Sequence, residues 1–378
     1  MKTIMTLKSR LIVPGLFLGA ILITSCGGKK DLTLKEAFAD KFLIGAAVNG
    51  SHTRGFDTAS VKLLDQQFNS ITEENSLKWE KIHPQPGKYS FDAADRYVEF
   101  GEEHGMYIVG HVLVWHSQTP AWVFRDEKGD LVNRDTLLAR MKDHIQTVVG
   151  RYKGRINSWD VVNEAIDDAG GMRKSLWYQI IGEDYVAKAF EYAHEADPDA
   201  VLIYNDYSLP NENKRNEAVR LIRSLQEQGI HVDGIGMQGH YLLNYPDPAE
   251  MEKSIEAFAA LGVQVMITEM DITVLPRPNQ YMGADISVNY DLKKELDPYA
   301  EAFPDSMQTV LADRYAELFR VFVKHSEVIG RVTFWAINDR QSWLNYWPIR
   351  GRKDYPVLFD RDNKPKKAFY SVIKTARD

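Results

Sequence analysis

Two glutamates are the strongest candidates for chemistry, because each follows an apolar segment and lies within a polar motif. Glu164 belongs to the segment WDVVNEA, and Glu269 lies within ITEMDI. Glycoside cleavage needs two carboxyl groups: one protonates the leaving oxygen, and the other attacks the anomeric carbon or activates water. A single such glutamate is more often half of a structural ion pair, but two at equivalent positions favour catalysis. The chain carries no nucleophile-elbow motif, so ester or peptide hydrolysis has little support.

Eight short apolar segments alternate with longer amphipathic ones along the chain, and two of the apolar segments precede these glutamates. The predicted strands are 42–48, 70–75, 106–114, 156–162, 201–205, 234–238, 263–267 and 331–335. Strands that alternate with helices predict parallel βαβ units. Eight such units predict an α/β fold with a single (β/α)8 TIM barrel. The alternative, a doubly wound open sheet, would carry a glycine-rich phosphate turn after the first strand, and AAVNGSHTRG is not one.

Polar residues cluster at the ends of the predicted strands. Strands two to eight end in or run into TEEN, GHVLVWH, WDVVNEA, NDYS, MQGH, ITEMDI and WAIND. In a TIM barrel the active site lies at the carboxyl ends of the strands. Carboxylates, amides, histidines and tryptophans are therefore expected to meet on one face.

From about Phe42 to its C-terminus the chain resembles glycoside hydrolase family 10, the barrel-type endo-xylanases. The motifs that carry the resemblance are TEENSLKW at 72–79, GHVLVWH at 110–116, WDVVNEA at 159–165, QGH at 238–240, ITEMDI at 267–272 and FWAINDRQSW at 334–343. Their order, spacing and placement all agree with the family, whereas a lone Asn-Glu pair is shared by many barrel glycosidases. The resemblance implies a retaining endo-1,4-β-xylanase that hydrolyses the xylan backbone by double displacement.

The resemblance also implies roles for the catalytic residues. Glu164 matches the acid/base and Glu269 the nucleophile. His240 and Asp271 match a relay that hydrogen-bonds the nucleophile, which would fix its geometry and keep it ionised. Asn163 matches the residue that binds the sugar 2-hydroxyl, a contact that strengthens in the transition state.

The substrate-binding residues implied by the resemblance surround the scissile bond. They are Glu74, Asn75 and Lys78 for sugars on the glycone side, His111, Trp115 and Gln238 as walls of the central subsite, Trp335 and Trp343 as a cover, and Tyr207 as an aromatic platform on the aglycone side. Lys78 alone would more often be a solvated surface lysine, but its place in TEENSLKW favours substrate binding. His116 has the opposite strand parity to His111, so we expect a structural role for it and no metal site at this pair.

Two features depart from the family pattern or from ordinary barrel loops. Ala336 stands where the family usually has Gly after the tryptophan, which would shift Trp335 slightly. The segment 273–306 is long for a barrel loop, and loops of this length are usually functional or disordered. Because it follows strand seven, we expect it on the catalytic face, bordering the cleft.

The N-terminus has the pattern of an export signal. Three basic residues and no acid in the first ten positions precede an apolar run, and the chain's single cysteine, Cys26, follows it. We interpret 1–25 as a lipoprotein-type signal, Cys26 as the lipidated residue, 26–40 as a tether and 41–378 as the catalytic domain. A bacterial lipoprotein at the cell envelope, in the periplasm or on the cell surface, is therefore expected, and the alternative is an ordinary cleaved signal and a secreted enzyme.

Composition narrows the partners. The net charge is −7 and the pI about 5.9, so nucleic acid is not an expected partner. One cysteine allows no internal disulfide, and no Cys/His cluster of zinc type is present in the sequence. The expected partner is xylan or xylo-oligosaccharide, with no cofactor, no metal and no membrane contact beyond the lipid. Two alternatives are a related barrel β-1,4-glycanase and a non-catalytic polysaccharide-binding lipoprotein; the latter would be free to lose Glu164 or Glu269.

Overall fold

Parallel strands close into a ring in the computed structural model of this chain, which describes residues 32–278 and 285–377. The strands are β1 (Leu43–Val48), β2 (Ser70–Glu73), β3 (Tyr107–Trp115), β4 (Ser158–Asn163), β5 (Val201–Asp206), β6 (Gly234–Met237), β7 (His240–Leu242), β8 (Gln264–Thr273) and β9 (Ile329–Phe334). Pairing runs in chain order from β1 to β6, continues through β8 and β9, and returns to β1. The predicted single (β/α)8 TIM barrel is confirmed.

Strand β8 is longer than the sequence predicts, and the extra residues carry function. One edge of β8 pairs with β6 at Gln264–Ile267 and then with β7, a short continuation of β6 that places His240 opposite Asp271. The other edge pairs with β9 as far as Met270. The prediction ended this strand at Ile267. The strand continues because β7, beyond the glycine at 239, and β9 both pair with residues past Ile267. Glu269 therefore lies within a strand rather than after one.

Helices cover the outside of the barrel. They are α1 (Leu34–Ala37), α2 (Gly50–Thr53), α3 (Thr58–Gln67), α4 (Trp79–Ile82), α5 (Asp92–Glu103), α6 (Arg134–Arg151), α7 (Leu176–Ile181), α8 (Tyr185–Ala196), α9 (Glu212–Glu227), α10 (Pro248–Ala259), α11 (Asp305–Lys324) and α12 (Lys367–Thr375), with 3-10 turns at Ala121–Val123, Lys294–Leu296, Asp339–Gln341 and Trp343–Asn345. Asn133 and Asp247 accept backbone N–H groups at the starts of α6 and α10, which satisfies donors that a helix leaves free.

The core lies between the strands and these helices, and the strands are buried on both faces, as is usual for parallel sheets. Packing is tight between β3 and β4. A Cβ on Gly110 would lie only 2.1 Å from the ring of Trp159, so no larger residue fits there. The glycine thus lets β4 approach the strand that carries His111 and Trp115.

The barrel domain begins earlier than the sequence predicts. Residues 33–40, assigned to the tether, include α1, in which Thr33 and Glu36 form a capping box. Leu34 and Phe38 are fully buried, and Phe38 stacks on Phe42 with ring centroids 5.0 Å apart. Two apolar side chains one helical turn apart are enough to dock this short helix, and the compact unit starts at Thr33.

The predicted signal and Cys26 lie outside the described residues. Within residues 32–278 and 285–377, the helices are all too short or too polar to cross a bilayer.

Candidate active site

A cleft of about 740 Å³ lies at the carboxyl ends of the barrel strands. It brings together nearly all of the predicted site residues that the structure describes: Glu74, Asn75, Lys78, His111, Trp115, Asn163, Glu164, Tyr207, Gln238, His240, Glu269, Trp335 and Trp343. Asp271 is buried and contacts His240 from behind. Residues from separate strands therefore converge on one face, as the barrel predicts.

Two neutral side chains orient the carboxyl group of Glu164. The indole Nε1 of Trp115 donates to Oε2 at 3.0 Å, and the amide of Gln238 donates to Oε1 at 2.9 Å. The residue is buried, at 7% exposure. Neutral donors hold the carboxyl in place without binding it to a fixed cation, which suits a group that must exchange a proton.

The carboxyl group of Glu269 has a different environment. The amide of Asn205 donates to Oε1 at 2.8 Å, and Nε2 of His240 lies 3.2 Å from Oε2. Burial raises the pKa of Glu269, but the hydrogen bond from His240 and the charges of His111 and His240 outweigh burial and lower it below the ordinary value. Glu269 is therefore a carboxylate at neutral pH.

His240 belongs to a chain of contacts that ends at the wall of the cleft. Its Nδ1 lies 3.0 Å from Oδ1 of Asp271, and the other oxygen of Asp271 accepts a 2.7 Å hydrogen bond from Trp343. Burial lowers the pKa of His240, but Asp271 and Glu269 together raise it to about 10. The imidazole is thus a cation held between two carboxylates, and it donates to the predicted nucleophile.

On the glycone side, buried Glu73 and Lys78 lie close to half-buried Glu74 and exposed Asn75. Glu73 accepts the backbone N–H of Asn75 at 2.6 Å and so fixes the turn after β2. Burial and the charge of Glu73 raise the pKa of Glu74 to about 7, against the opposing effects of Lys78 and Asn49. Burial lowers the pKa of Lys78, opposed by carboxylates that include Glu269 and Glu74. A buried lysine among carboxylates is no solvated surface residue.

Aromatic rings form the walls on the other side. Trp335 lies edge-on to His111, with centroids 5.6 Å apart, and Asp160 holds His111 through a 2.7 Å contact to Nδ1. Trp343 lies 4.9 Å from the ring of His240 and stacks on Trp347 at 4.7 Å. Flat apolar rings can stack on the C–H faces of a sugar ring, and the polar groups beside them can bind its hydroxyls.

His116 lies beside the cleft, 4.0 Å from Oε2 of Glu164. Burial, with the charge of Arg173, lowers its pKa to about 4, so its imidazole is neutral at neutral pH. The structural role expected for His116 stays a prediction.

The long loop after β8 contributes to the cleft. Arg277 and Ile286, on either side of residues 279–284, both line it. The prediction that this loop borders the cleft is confirmed for these two residues, while 279–284 lie outside the described part of the chain.

Sequence reasoning missed one buried support of the site and several residues of the cleft. Asn205, which is fully buried and donates to Glu269, lies in NDYS at the end of a predicted strand, and that position is the signal that could have indicated it. Asn49 lines the cleft directly after β1, and its place at the end of the first strand is the signal that indicates it. Trp347 and Tyr346 lie in a segment with no regular pattern, where only proximity to Trp343 could have indicated them.

A TIM barrel that presents two buried carboxyl groups in an aromatic-lined cleft defines a glycoside hydrolase of the barrel type. The comparisons specify which one: the model of glycosyl hydrolase family 10 matches residues 33–375, and the chain belongs to this family. It is 45% identical over 342 residues to endo-1,4-β-xylanase A of Xylanibacter ruminicola, covering 90% of this chain and 93% of that protein.

Solved structures agree with this assignment. An endoxylanase of the same family, retrieved from a sugarcane soil metagenome, superposes with a TM-score of 0.87 at 46% identity, covering 92% of this chain and 100% of that one. A mutant solved in complex with xylotriose superposes with a TM-score of 0.81 at 37% identity, covering 91% and 99% of the two chains.

Proposed function

We propose that this protein is a retaining endo-1,4-β-xylanase, with Glu164 as acid/base and Glu269 as nucleophile. The observation that carries the proposal is the contrast between the two carboxyl groups of one cleft. Glu164 is held by neutral donors, whereas Glu269 is held by an amide and a cationic imidazole. Two carboxyls with separate proton roles are what double displacement requires.

In the first step Glu269 attacks the anomeric carbon and forms a covalent glycosyl ester. The bond to the leaving oxygen breaks, and Glu164 gives its proton to that oxygen. His240 and Asn205 hold the attacking carboxylate, so that little reorganisation is needed at the moment of attack. Asn163, which lines the cleft beside Glu164, is assigned to the sugar 2-hydroxyl.

In the second step Glu164, now ionised, takes a proton from water, and the water oxygen attacks the anomeric carbon. The ester to Glu269 breaks, and the nucleophile returns as a carboxylate. Each step inverts the configuration at the anomeric carbon, so the product retains the β configuration.

The substrate class follows from the walls of the cleft and from the relatives. Xylose lacks the hydroxymethyl group of glucose. Trp335 and Trp343 both line the cleft, and in the proposed function they cover the central subsite and exclude that group. Glu74, Asn75 and Lys78 supply hydrogen-bonding groups for xylose hydroxyls on the glycone side. The naming of a 45% identical relative as an endo-1,4-β-xylanase supports the same specificity here.

Incubation with xylan, arabinoxylan, cellulose and mannan, followed by separation of products by size, tests the proposal. We expect a series of short oligosaccharides from the two xylans and little product from cellulose or mannan. Equal rates on cellulose and xylan would replace the proposal with a general β-1,4-glycanase. Binding to xylan without any cleavage would replace it with a polysaccharide-binding protein.

Glycosyl transfer to azide tests the two roles separately. Glu269→Gly removes the attacking atom, so azide in its place should give an inverted glycosyl azide. Glu164→Ala keeps the nucleophile, so azide should replace water in the second step and give a retained glycosyl azide. The opposite pairing of products would exchange the two roles.

For location, we propose an exported lipoprotein anchored to the cell envelope through Cys26. The support is the basic, then apolar, N-terminal pattern that ends at the chain's single cysteine.

A further inference from the structure

The backbone of Glu164 has a conformation that is uncommon for a residue with a side chain. Its φ is 58°, in the left-handed region where the Cβ of an L-residue is crowded by its own backbone. Its N–H donates to the carbonyl oxygen of Asn205 at 2.9 Å, and its carbonyl oxygen accepts from Nε of Arg173 at 2.8 Å. Because the side chain leaves from this backbone, these two bonds help decide where the carboxyl group lies.

The same guanidinium reaches the aglycone-side platform. Nη2 of Arg173 donates to the carbonyl oxygen of Ile166 at 3.0 Å and to the hydroxyl of Tyr207 at 2.9 Å. The backbone N–H of Arg173 donates to the carbonyl oxygen of Ala165 at 2.7 Å. One side chain therefore joins the backbone of Glu164, the segment after β4 and the ring of Tyr207 in a fixed planar geometry, which a lysine could not reproduce.

Contacts with neighbouring residues fix the position of Tyr207, so that a change at its ring would also affect Arg173. Burial and the neighbouring Asp168 keep the pKa of its hydroxyl above the ordinary value, so that the hydroxyl stays neutral and accepts from Arg173. The ammonium of Lys214 lies 3.5 Å from the ring centroid, an attractive cation–π arrangement. Lys214 is itself paired with buried Asp206 at 2.7 Å.

We propose that Arg173 is a positioning residue, which couples the aglycone-side platform Tyr207 to the acid/base Glu164. The proposal rests on the proposed function. A leaving-group sugar that binds against Tyr207 lies next to the Arg173 contact that holds the Glu164 backbone. Binding of the aglycone sugar and the orientation of the Glu164 carboxyl group are therefore coupled. Loss of Arg173 should therefore damage the two proton transfers made by Glu164 and spare the attack by Glu269.

Aryl β-xylobiosides separate these effects, because an acidic phenol needs no protonation to leave. For Arg173→Met we expect kcat/KM on an unactivated phenyl xylobioside to fall by about tenfold or more, part of the roughly 10²–10⁴-fold supplied by general acid–base catalysis. On a dinitrophenyl xylobioside we expect kcat/KM to change by less than about threefold, because attack by the nucleophile is intact.

The second step gives a second readout on the dinitrophenyl substrate. If Glu164 is poorly oriented as the base, the glycosyl-enzyme accumulates. Both kcat and KM should then fall, while kcat/KM stays the same. Azide needs no base, and it should restore kcat and yield the retained glycosyl azide. A merely structural defect would show neither the paired fall nor the rescue.

Matched variants control for charge and for folding. Arg220 on α9 pairs with Glu183 and Glu217 at the surface, and Arg220→Met should leave all rates unchanged. Tyr207→Phe keeps the ring and removes the acceptor, so its loss on the phenyl substrate should be smaller than that of Arg173→Met. If the two residues form one unit, the double variant should be no worse than Arg173→Met alone.

Equal losses on the dinitrophenyl and phenyl substrates, with no azide rescue, would overturn the positioning role. If Arg173→Met does not fold, Arg173→Lys is measured in the same way, and the same split between substrates decides. Failure of the proposed function is distinguishable, because the wild-type protein would then cleave neither xylan nor either aryl xylobioside.

Discussion

The indole nitrogen of Trp343 donates a 2.7 Å hydrogen bond to the buried carboxylate of Asp271, whose other oxygen lies 3.0 Å from His240. The aromatic cover of the cleft and the support of the proposed nucleophile are therefore parts of one chain of contacts. A sugar that displaces Trp343 also acts on the group that holds Glu269.

Trp343→Phe should expose this connection, because the ring remains and the N–H is lost. A hydrogen bond to a charged group is worth about 1.5–3 kcal/mol. If that energy is lost in the transition state, kcat on xylan should fall by about 10- to 150-fold. Trp343→Ala should in addition narrow the preference for xylan over cellulose, since the cover itself is gone. Rates on both polymers measure this, and an unchanged kcat for Trp343→Phe would show that the bond does not support catalysis.

Stability should depend on pH through His240. Its folded pKa of about 10 lies above the ordinary value of 6.5, so its contribution to stability is complete below pH 6.5 and is lost as the pH rises through about 10. Asp271→Asn removes the main partner and should flatten this dependence. Chemical unfolding followed by circular dichroism at several pH values measures it, and parallel curves for wild type and variant would contradict the assignment.

Glycone binding should depend on pH through Glu74, whose pKa is raised to about 7. The ionised carboxylate accepts stronger hydrogen bonds from sugar hydroxyls than the neutral acid does. Xylotriose should therefore bind more tightly as the pH rises through 7. Calorimetric titration of the inactive Glu269→Gln variant measures this affinity. The control is the double variant that carries both Glu74→Gln and Glu269→Gln, and its affinity should not change with pH in this way. The same pH dependence in the control would assign it to another group.

Membrane attachment should depend on Cys26. Lipoproteins usually carry more than one acyl chain, and two or more chains bind a bilayer far more firmly than one. We expect the wild-type protein in the membrane fraction and Cys26→Ser in the soluble fraction or unprocessed. A wild-type protein that is fully soluble without detergent would contradict the anchor.

Much of the fold was predictable because parallel barrels repeat a simple pattern of apolar strand and amphipathic helix. The site was predictable because strand ends converge, which places Glu164 and Glu269 on one face from their order alone. Contacts between strands that are far apart in the chain were not predictable, and the hydrogen bond from Asn205 to Glu269 is one of them. The left-handed backbone of Glu164 was also not predictable, since nothing in WDVVNEA indicates it.

The boundaries failed where an element depends on a distant partner. Strand β8 extends past Ile267 because β7 and β9 pair with its later residues, and α1 docks on the barrel through buried Leu34 and Phe38. Residues 33–40 of the tether predicted for 26–40 therefore belong to the barrel domain.

The configuration of the first-formed sugar decides whether Glu269 acts as the nucleophile. Proton NMR of a xylo-oligosaccharide digest, recorded before mutarotation, distinguishes the two anomers of the new reducing end. If Glu269 attacks the anomeric carbon and Glu164 then activates water, the β-anomer appears first, and the α-anomer grows in only as the sugar equilibrates. An α-anomer that appears first would contradict the retaining mechanism and the role proposed for Glu269.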